Sequence, residues 1–345
     1  SNVNRYIDFN DNTYTTTIGG GLYLRYSNVW FLEEGENLDT YVASEEVADG
    51  DTIYLASGDY AISADIDITK ALRIRGQGIN KTTITCTGTT NCFEITKDGT
   101  EISDLSITTS GTATQIGILV TGTAGTRFTN VLLSNLLITQ TGSGIKRGLS
   151  ITDSGVTLRN VWANITSSDN EASGFRLGQA STMEGAVTMN AYNSGAIVSS
   201  GSAQGYAWRL NESTATQVTT INLYDCYGFA TEGGASTSAG IYVNAVTNPD
   251  VVVNTYGGFY SGTDNDAEIA GSAVFNPSAT TAFANNKISG TVTPIGYTLL
   301  KKVTADPCTS GAPEGTLFWN STAHELCACD GTNDIRVKDF TTACF

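Results

Sequence analysis

A chain of 345 residues with 34 acidic and 18 basic side chains has a formal net charge of −16, which repels nucleic-acid phosphate and anionic membrane and argues against a nucleic-acid role. Charged residues make up only 15% and glycines number 37, so Thr, Ser and Asn fill the polar positions, a composition suited to short strands joined by turns. No window is apolar over the length a membrane span needs, and a single core of this size is unusual unless the fold grows by stacking.

Residues 1–37 stand outside any repeat. The run TYTTTIGGGLYLRYSNVWFL reads as two or three strands around Gly19, Gly20 and Gly21. It serves either as a cap over its own chain or as a strand donated to a neighbour, because the end of a β-solenoid is an open sheet edge. Ser1 reads as a mature end left by signal-peptide removal. Within the acidic stretch that follows, Leu38, Tyr41, Val42 and Val47 fit one short helix leading into the coil.

The next segment, VADGDTIYLASGDYAISADIDITKALRIRGQG from Val47 to Gly78, joins a Gly-Asp pair, an Ile-x-Leu strand, a Gly-x-Tyr turn, an Ile-x-Ile strand and an Arg-x-Gly. It resembles the opening coils of right-handed parallel β-helices of the pectin-lyase-like superfamily. The resemblance extends over roughly 42–292 and implies a solenoid. It does not imply one activity, because that superfamily holds lyases, hydrolases, epimerases, tailspikes and adhesins.

From Glu101 to Tyr260 the residues themselves carry the repeat. ISDLSI, LLSNLLI, TLRNVWA, TMNAYN, LYDCYG and VVNTYG place Asp104, Asn135, Asn160, Asn190, Asp225 and Asn254 at one pivot, at intervals of about 25 to 35 residues. Asp and Asn tolerate the left-handed backbone of a sharp bend, and stacked pivots can bond to each other as a ladder. Period-two alternation puts Leu133, Leu158 and Val253 inside. Interleaved strands GILVT, GLSIT, GFRLG, YAWRLNE and GIYVNA complete each period. A coil cannot bury its own lining, so neighbours must cover it. Residues 38–292 are therefore expected to form about nine coils, a rod about 40–45 Å long. The fold class is all-β: a right-handed single-stranded parallel β-helix with an N-terminal strand or cap segment and a small disulfide-stapled C-terminal β-meander.

Residues 293–310 read as a connector and 311–345 as a Cys-rich β module of three strands, too short to bury a core unaided. The phrase EGTLFWNSTAHELCACDGTN resembles short Cys-bearing modules at the ends of microbial surface and fibre proteins. Cys86 and Cys92 bracket a turn and suit a local disulfide; Cys308, Cys327, Cys329 and Cys344 are further disulfide candidates of undetermined pairing. Cys226 reads as a small core residue. These cysteines suit an oxidising, secreted or surface setting, cellular or on a virion. Asn80, Asn164, Asn211 and Asn320 lie in Asn-x-Ser/Thr sequons.

Chemistry is sparse. Glycoside hydrolysis needs paired carboxylates and uronate lyases need a base with cation support; neither pattern lies on these strands, which weighs against an enzyme. Arg176 and Arg209 occupy equivalent outward positions of successive periods, with Lys146, Arg147 and Glu212 nearby, and could grip an acidic sugar. No cofactor is required. Asp264, Asp266 and Glu268 offer oxygens for Ca²⁺ in what also reads as an ordinary polar turn. His324 lies among the tail cysteines without the Cys-x-x-Cys spacing of a zinc site. Two functions follow as expectations. The first is an extracellular structural subunit that assembles with copies of itself into a filament, fibre or appendage. The alternative is a polysaccharide-binding or polysaccharide-degrading protein, a lyase, hydrolase or tailspike.

Overall fold

Thirty-residue periods fold here into stacked coils because each period supplies three strands whose inward side chains can be covered only by the coils above and below. The computed structural model describes residues 28–290 except 89, 123–127, 153, 179–186, 213–218, 235–236, 246–250, 272 and 285–287. It also describes the strand backbone of Thr13–Thr16, Tyr23–Tyr26, Lys301–Val303, Leu317–Asn320, Glu325–Cys329 and Asp334–Arg336. For residues 187, 211, 212, 219, 245 and 271 only the backbone is described. Two units result, Ser1–Thr293 and Pro294–Phe345.

In the first unit each coil carries three faces. Strands before and after the bend belong to one large sheet, and a second sheet runs through Ile66–Ile68, Asn91–Ile95, Gln115–Thr121, Lys146–Thr152, Ala172–Gly178, Gly205–Glu212, Ser238–Ala245, Asn265–Gly271 and Ile288–Ser289 in chain order. Pairing from coil to coil is parallel and in register, so equivalent residues form columns. This is the right-handed parallel β-helix expected from the sequence. Leu133, Leu158 and Val253 are all fully buried.

The bend itself corrects the pivot assignment. Asp104, Asn135, Asn160, Asn193 and Asp225 hold φ of 58°, 51°, 55°, 46° and 49°, and Gly257 follows at 77°. Asn190 and Asn254 are not in this column. TMNAYN contains two asparagines, and the bend uses the second; in VVNTYG it uses the glycine, whose lack of Cβ makes the left-handed conformation free. Along the bend Asn135 Nδ2 donates to Asp104 Oδ1 at 2.9 Å and Asn160 Nδ2 to Asn135 Oδ1 at 3.0 Å. Arg75 closes the ladder's first end on Asp104 Oδ2 at 3.0 Å. The displaced residues form a second ladder within the strands. Asn222 donates to Asn190, Asn254 to Asn222 and Asn276 to Asn254, at 2.9, 2.8 and 2.9 Å. Each such bond adds about 1 kcal/mol and fixes the register of adjacent coils.

Inside, bulk is shared across the lumen. Where the second sheet presents Phe175 and Trp208, ring centroids 4.3 Å apart, the strands after the bend present Ala163, Ala196 and Gly228 in one column. A Cβ on Gly228 would meet Trp208 Cδ1 at 3.0 Å. The indole is buried without an orphan donor, since its Nε1 donates to Tyr227 O at 2.9 Å.

At the first end Val29–Leu32 pairs in parallel with Thr52–Leu55 of the same chain, Tyr23–Tyr26 pairs antiparallel to Val29–Leu32, and Thr13–Thr16 continues the ribbon. Thr52–Leu55 of the first coil is thus paired by a strand of the same chain. The expected helix spans Leu38–Ala43, starting where the Asn37 side chain accepts from Asp39 N; Leu38, Tyr41, Val42 and Val47 are buried. In the second unit Leu317–Asn320, Glu325–Cys329 and Asp334–Arg336 form an antiparallel meander, and Lys301–Val303, from the stretch read as a connector, adds a parallel strand to it. Cys86 and Cys92 are joined by a disulfide. The disulfide candidates Cys308, Cys327, Cys329 and Cys344, and His324, fall outside the described residues or their described side chains.

Candidate anion-binding site

The outer surface of the second sheet is shaped by a break in strand alternation. Added Cβ atoms on Gly117 and Gly148 would point into the lumen, toward Ile138 Cγ2 at 2.6 Å and Ala163 Cβ at 3.0 Å, and one on Gly174 toward Ala196. The next residues, Ile118, Leu149 and Phe175, also point inward and are buried. Two successive inward residues make a bulge, so both the residue before the pair and the residue directly after it face outward. That geometry brings Arg147, Ser173 and Tyr206 alongside Ser150, Arg176 and Arg209 on one face.

Arg176 and Arg209 are direct register partners, and Tyr242 and Glu268 continue their column. Glu171, just before Ala172–Gly178, lies among the guanidiniums. Its Oε1 meets Arg147 Nε at 3.4 Å and accepts from Ser173 Oγ at 3.3 Å; its Oε2 pairs with Arg209 Nη1. Arg209 Cζ also sits over the stacked rings of Tyr206 and Tyr242, 5.1 and 6.0 Å from their centroids. Side-chain exposure is only 17% for Arg147, 12% for Arg209 and 17% for Glu171.

Among the described residues charge does not balance here: three guanidiniums face one carboxylate, and Arg176 makes no ion pair. The Nε atoms of Arg176 and Arg209 are buried with no hydrogen-bond acceptor among the described residues. Burial first, then the like charges of Arg147 and Arg209, push the Arg176 guanidinium down to about 10, against the pull of Glu171. Burial alone would raise the Glu171 carboxyl, but Arg209, Arg147 and Arg176 outweigh it and hold it below the usual range. An incoming oxyanion would satisfy both orphaned donors and the excess charge.

Other sequence candidates fare differently. Lys146 is fully buried, its Nζ bonded at 2.8 Å to Ala113 O and at 2.8 Å to Gln115 Oε1, so it braces adjacent coils and cannot reach a sugar. Asp264, Asp266 and Glu268 do not converge. Asp264 Oδ2 accepts from Ser238 N, Asp266 is buried and accepts from Gly262 N, and Glu268 pairs with Asn265. Among the described residues no group of three or more His, Cys, Asp or Glu could hold a metal ion. Asn80 and Asn164 are exposed; the side chains of Asn211, Glu212 and Asn320 lie outside the described set. Cys226 is buried and its thiol is pushed up to about 12 chiefly by burial, the state of an inert core residue. A shallow depression of about 340 Å³ at the bend is lined by Arg159, Asn160, Tyr192 and Asn193, but the Asn160 and Asn193 amides there already serve the turn ladder. Sequence reasoning missed Glu171, Tyr206 and Tyr242, which lie three before, one before and two after Gly174, Ala207 and Gly240 of their coils and so share no single offset that a pattern could reveal.

No family model matches the chain, and no curated protein matches it in sequence. Among solved structures it is similar to the PL6 family alginate lyase AlyGC, at 14% identity and TM-score 0.39, covering 78% of this chain and 39% of that one. It is also similar to the A-module of the Azotobacter vinelandii mannuronan C-5 epimerase AlgE6, at 14% identity and TM-score 0.28, covering 76% and 93%. A third is the tailspike protein gp49 of Acinetobacter baumannii bacteriophage Fri1, a capsular polysaccharide depolymerase, at 11% identity and TM-score 0.41, covering 93% and 73%. The chain spans about two fifths of the length of the alginate lyase. The chain is a parallel β-helix by its own coil-to-coil strand pairing. Among the described residues no helix is long and apolar enough to cross a membrane.

Proposed function

We propose that this chain binds an acidic polysaccharide on the outer face of its second sheet, with Arg147, Arg176 and Arg209 receiving an anionic group of the glycan. The observation that carries this reading is the pair of buried Nε atoms on Arg176 and Arg209, in direct register and without an acceptor among the described residues, beside a single carboxylate, Glu171, that is already shared by Arg147 and Arg209. Each charge-assisted bond to a ligand oxyanion adds about 1.5–3 kcal/mol. Successive coils lie about 4.8 Å apart, so a linear glycan laid along the axis meets equivalent positions in turn. The Cys86–Cys92 disulfide supports an oxidising setting, extracellular or at a virion surface, where such polymers are met. The reading is of binding. Glu171 is held ionised by its arginines and is no proton donor, and no second described carboxylate pairs with it.

Affinity electrophoresis against a panel of uronate-containing and neutral polysaccharides tests the proposal, with unsaturated and reducing ends followed in parallel. Retardation by acidic polymers alone, lost in Arg176→Gln, is the expected result. Equal retardation by neutral polymers, or none by acidic ones, overturns it; new ends accumulating would convert the binder into an enzyme.

A further inference from the structure

On the strands that follow the bend, the outward columns change character along the rod. One reads Thr83, Ser106, Leu137, Trp162, Gly195, Tyr227 and Phe259; its neighbour reads Thr85, Thr108, Thr139, Asn164, Ile197, Phe229 and Ser261. The early coils are therefore hydroxylated, as a solvated β surface should be. From Leu137 onward the first column turns apolar, and the second does so at Ile197 and Phe229; Ile197 is 54% exposed. This is not a residue of core packing, because these side chains point away from the lumen.

Gly195 shows that the apolar face is built. Without a side chain between them, Trp162 and Tyr227 lean together across an intervening coil until their centroids are 5.7 Å apart at 25°. A Cβ on Gly195 would meet Trp162 Cζ3 at 2.8 Å and Tyr227 Cβ at 3.0 Å. Beside them Phe229 and Phe259 lie 5.4 Å apart. Around the corner, Tyr192, Tyr224 and Tyr256 stack at 4.8 and 4.7 Å, nearly parallel at 6° and 8°.

We propose that this face, centred on Ile197 and formed by Leu137, Trp162, Tyr227, Phe229 and Phe259, is where a second copy of this chain packs laterally. Three observations select that occupant. Neither column holds a charged side chain, although the chain as a whole carries −16, so this is a place where two like-charged rods can touch without facing each other's carboxylates. A basic partner would gain nothing here. The rings lie face to face with one another and offer edges outward, so a sugar finds no free aromatic face to stack upon, whereas protein side chains pack against edges readily. The apolar centre, on the order of 250 Å² over five coils, is flanked on one side by the neutral column Thr141, Thr166, Ser199 and Thr231 and on the bend side by Asn160, Asn193 and Asp225, of which only Asp225 is charged. An apolar centre with a polar rim is the anatomy of an interface between subunits, which in full buries about 800 Å² per partner. The proposal uses a different face from the arginine site and does not depend on it.

Light scattering coupled to size exclusion tests it, on the full chain at about 5 to 100 μM. Wild type is expected at a multiple of the 36.3 kDa chain mass, and Ile197→Asp at the mass of one chain with an unchanged thermal midpoint. Added NaCl should shift wild type toward the larger species, since it screens the mutual repulsion of the rods. A wild-type mass of one chain throughout overturns the proposal, as does an Ile197→Asp protein that keeps the wild-type mass. If wild type is a single chain and Ile197→Asp instead loses retardation by a polysaccharide, the face is a sugar surface and the proposal fails.

Discussion

Replacing Arg176 with Met should make this protein more stable, although the residue is mostly buried and charged. Among the described residues Arg176 brings a third guanidinium to a cluster with one carboxylate, and its Nε has no acceptor there. Its guanidinium is depressed to about 10, chiefly by burial and then by Arg147 and Arg209, so its charged form is disfavoured in the fold. A shift of that size on a wholly buried group is worth about 3 kcal/mol. Arg176 keeps some contact with solvent, so about 1 kcal/mol is the expected gain. For a unit of this size that raises the thermal midpoint by about 2–4 °C. Glu171→Gln has the opposite sign. It leaves Arg147 and Arg209 without their counter-charge in a partly closed site, at a cost of about 2–3 kcal/mol. Thermal melts of both variants in a buffer free of multivalent anions compare the two directly. If Arg176→Met lowers the midpoint as much as Glu171→Gln does, Arg176 has a native partner and the argument from unbalanced charge is wrong.

Trp208→Ala empties the position opposite Ala196 and Gly228 and should cost about 3–5 kcal/mol, read as a lower midpoint and loss of the near-ultraviolet indole signal. Asn160→Ala forces an L side chain without a polar tip to hold φ of 55° and breaks the turn ladder; it should cost about 2 kcal/mol, and Asn160→Gly distinctly less, by the same melts. On the alkaline side, burial raises the Tyr60 hydroxyl to about 12 and also raises those of Tyr206 and Tyr260. The native state then holds protons that the unfolded chain releases from about pH 10, so stability is full below pH 10 and falls as pH rises toward 12 and beyond. On the acid side Glu171 is depressed, and so is Asp98, where the N–H groups of Asn130, Thr129 and Gly99 overcome the effect of burial. Their contribution is present above the ordinary carboxyl values of 4.5 and 3.8 and is lost as pH falls through the depressed ones, which stepwise acid titration of the midpoint will register.

The coil was legible because its cause is periodic: one inward residue in two and a bend near every thirtieth position leave a mark in any single chain. The pivots were less legible where two residues compete for one bend. Asn190 and Asn193 are three apart in TMNAYN, and only packing decides which turns. Sequence favoured Asn190 because Ala191 resembles the apolar residue that follows Asn135 and Asn160. The structure instead puts Ser194 in that position, where its Oγ accepts from Val161 N at 3.0 Å. The pairing of Arg176 with Arg209 could be read from equal offsets in GFRLG and AWRLN. Lys146 could not be separated from Arg147 in the same way, because the bulge at Gly148 reverses which neighbour faces out. Glu171 was hidden because it lies in a turn just before its strand, where no alternation marks it.

The account rests on the arginine face receiving an oxyanion, and calorimetric titration of a short oligouronate into wild type and Arg176→Gln tests that directly. Saturable binding by wild type that weakens with salt, and weakens by about tenfold or more in the variant, is the predicted result. Equal affinity in the two proteins, or no heat from wild type at millimolar ligand, would contradict it.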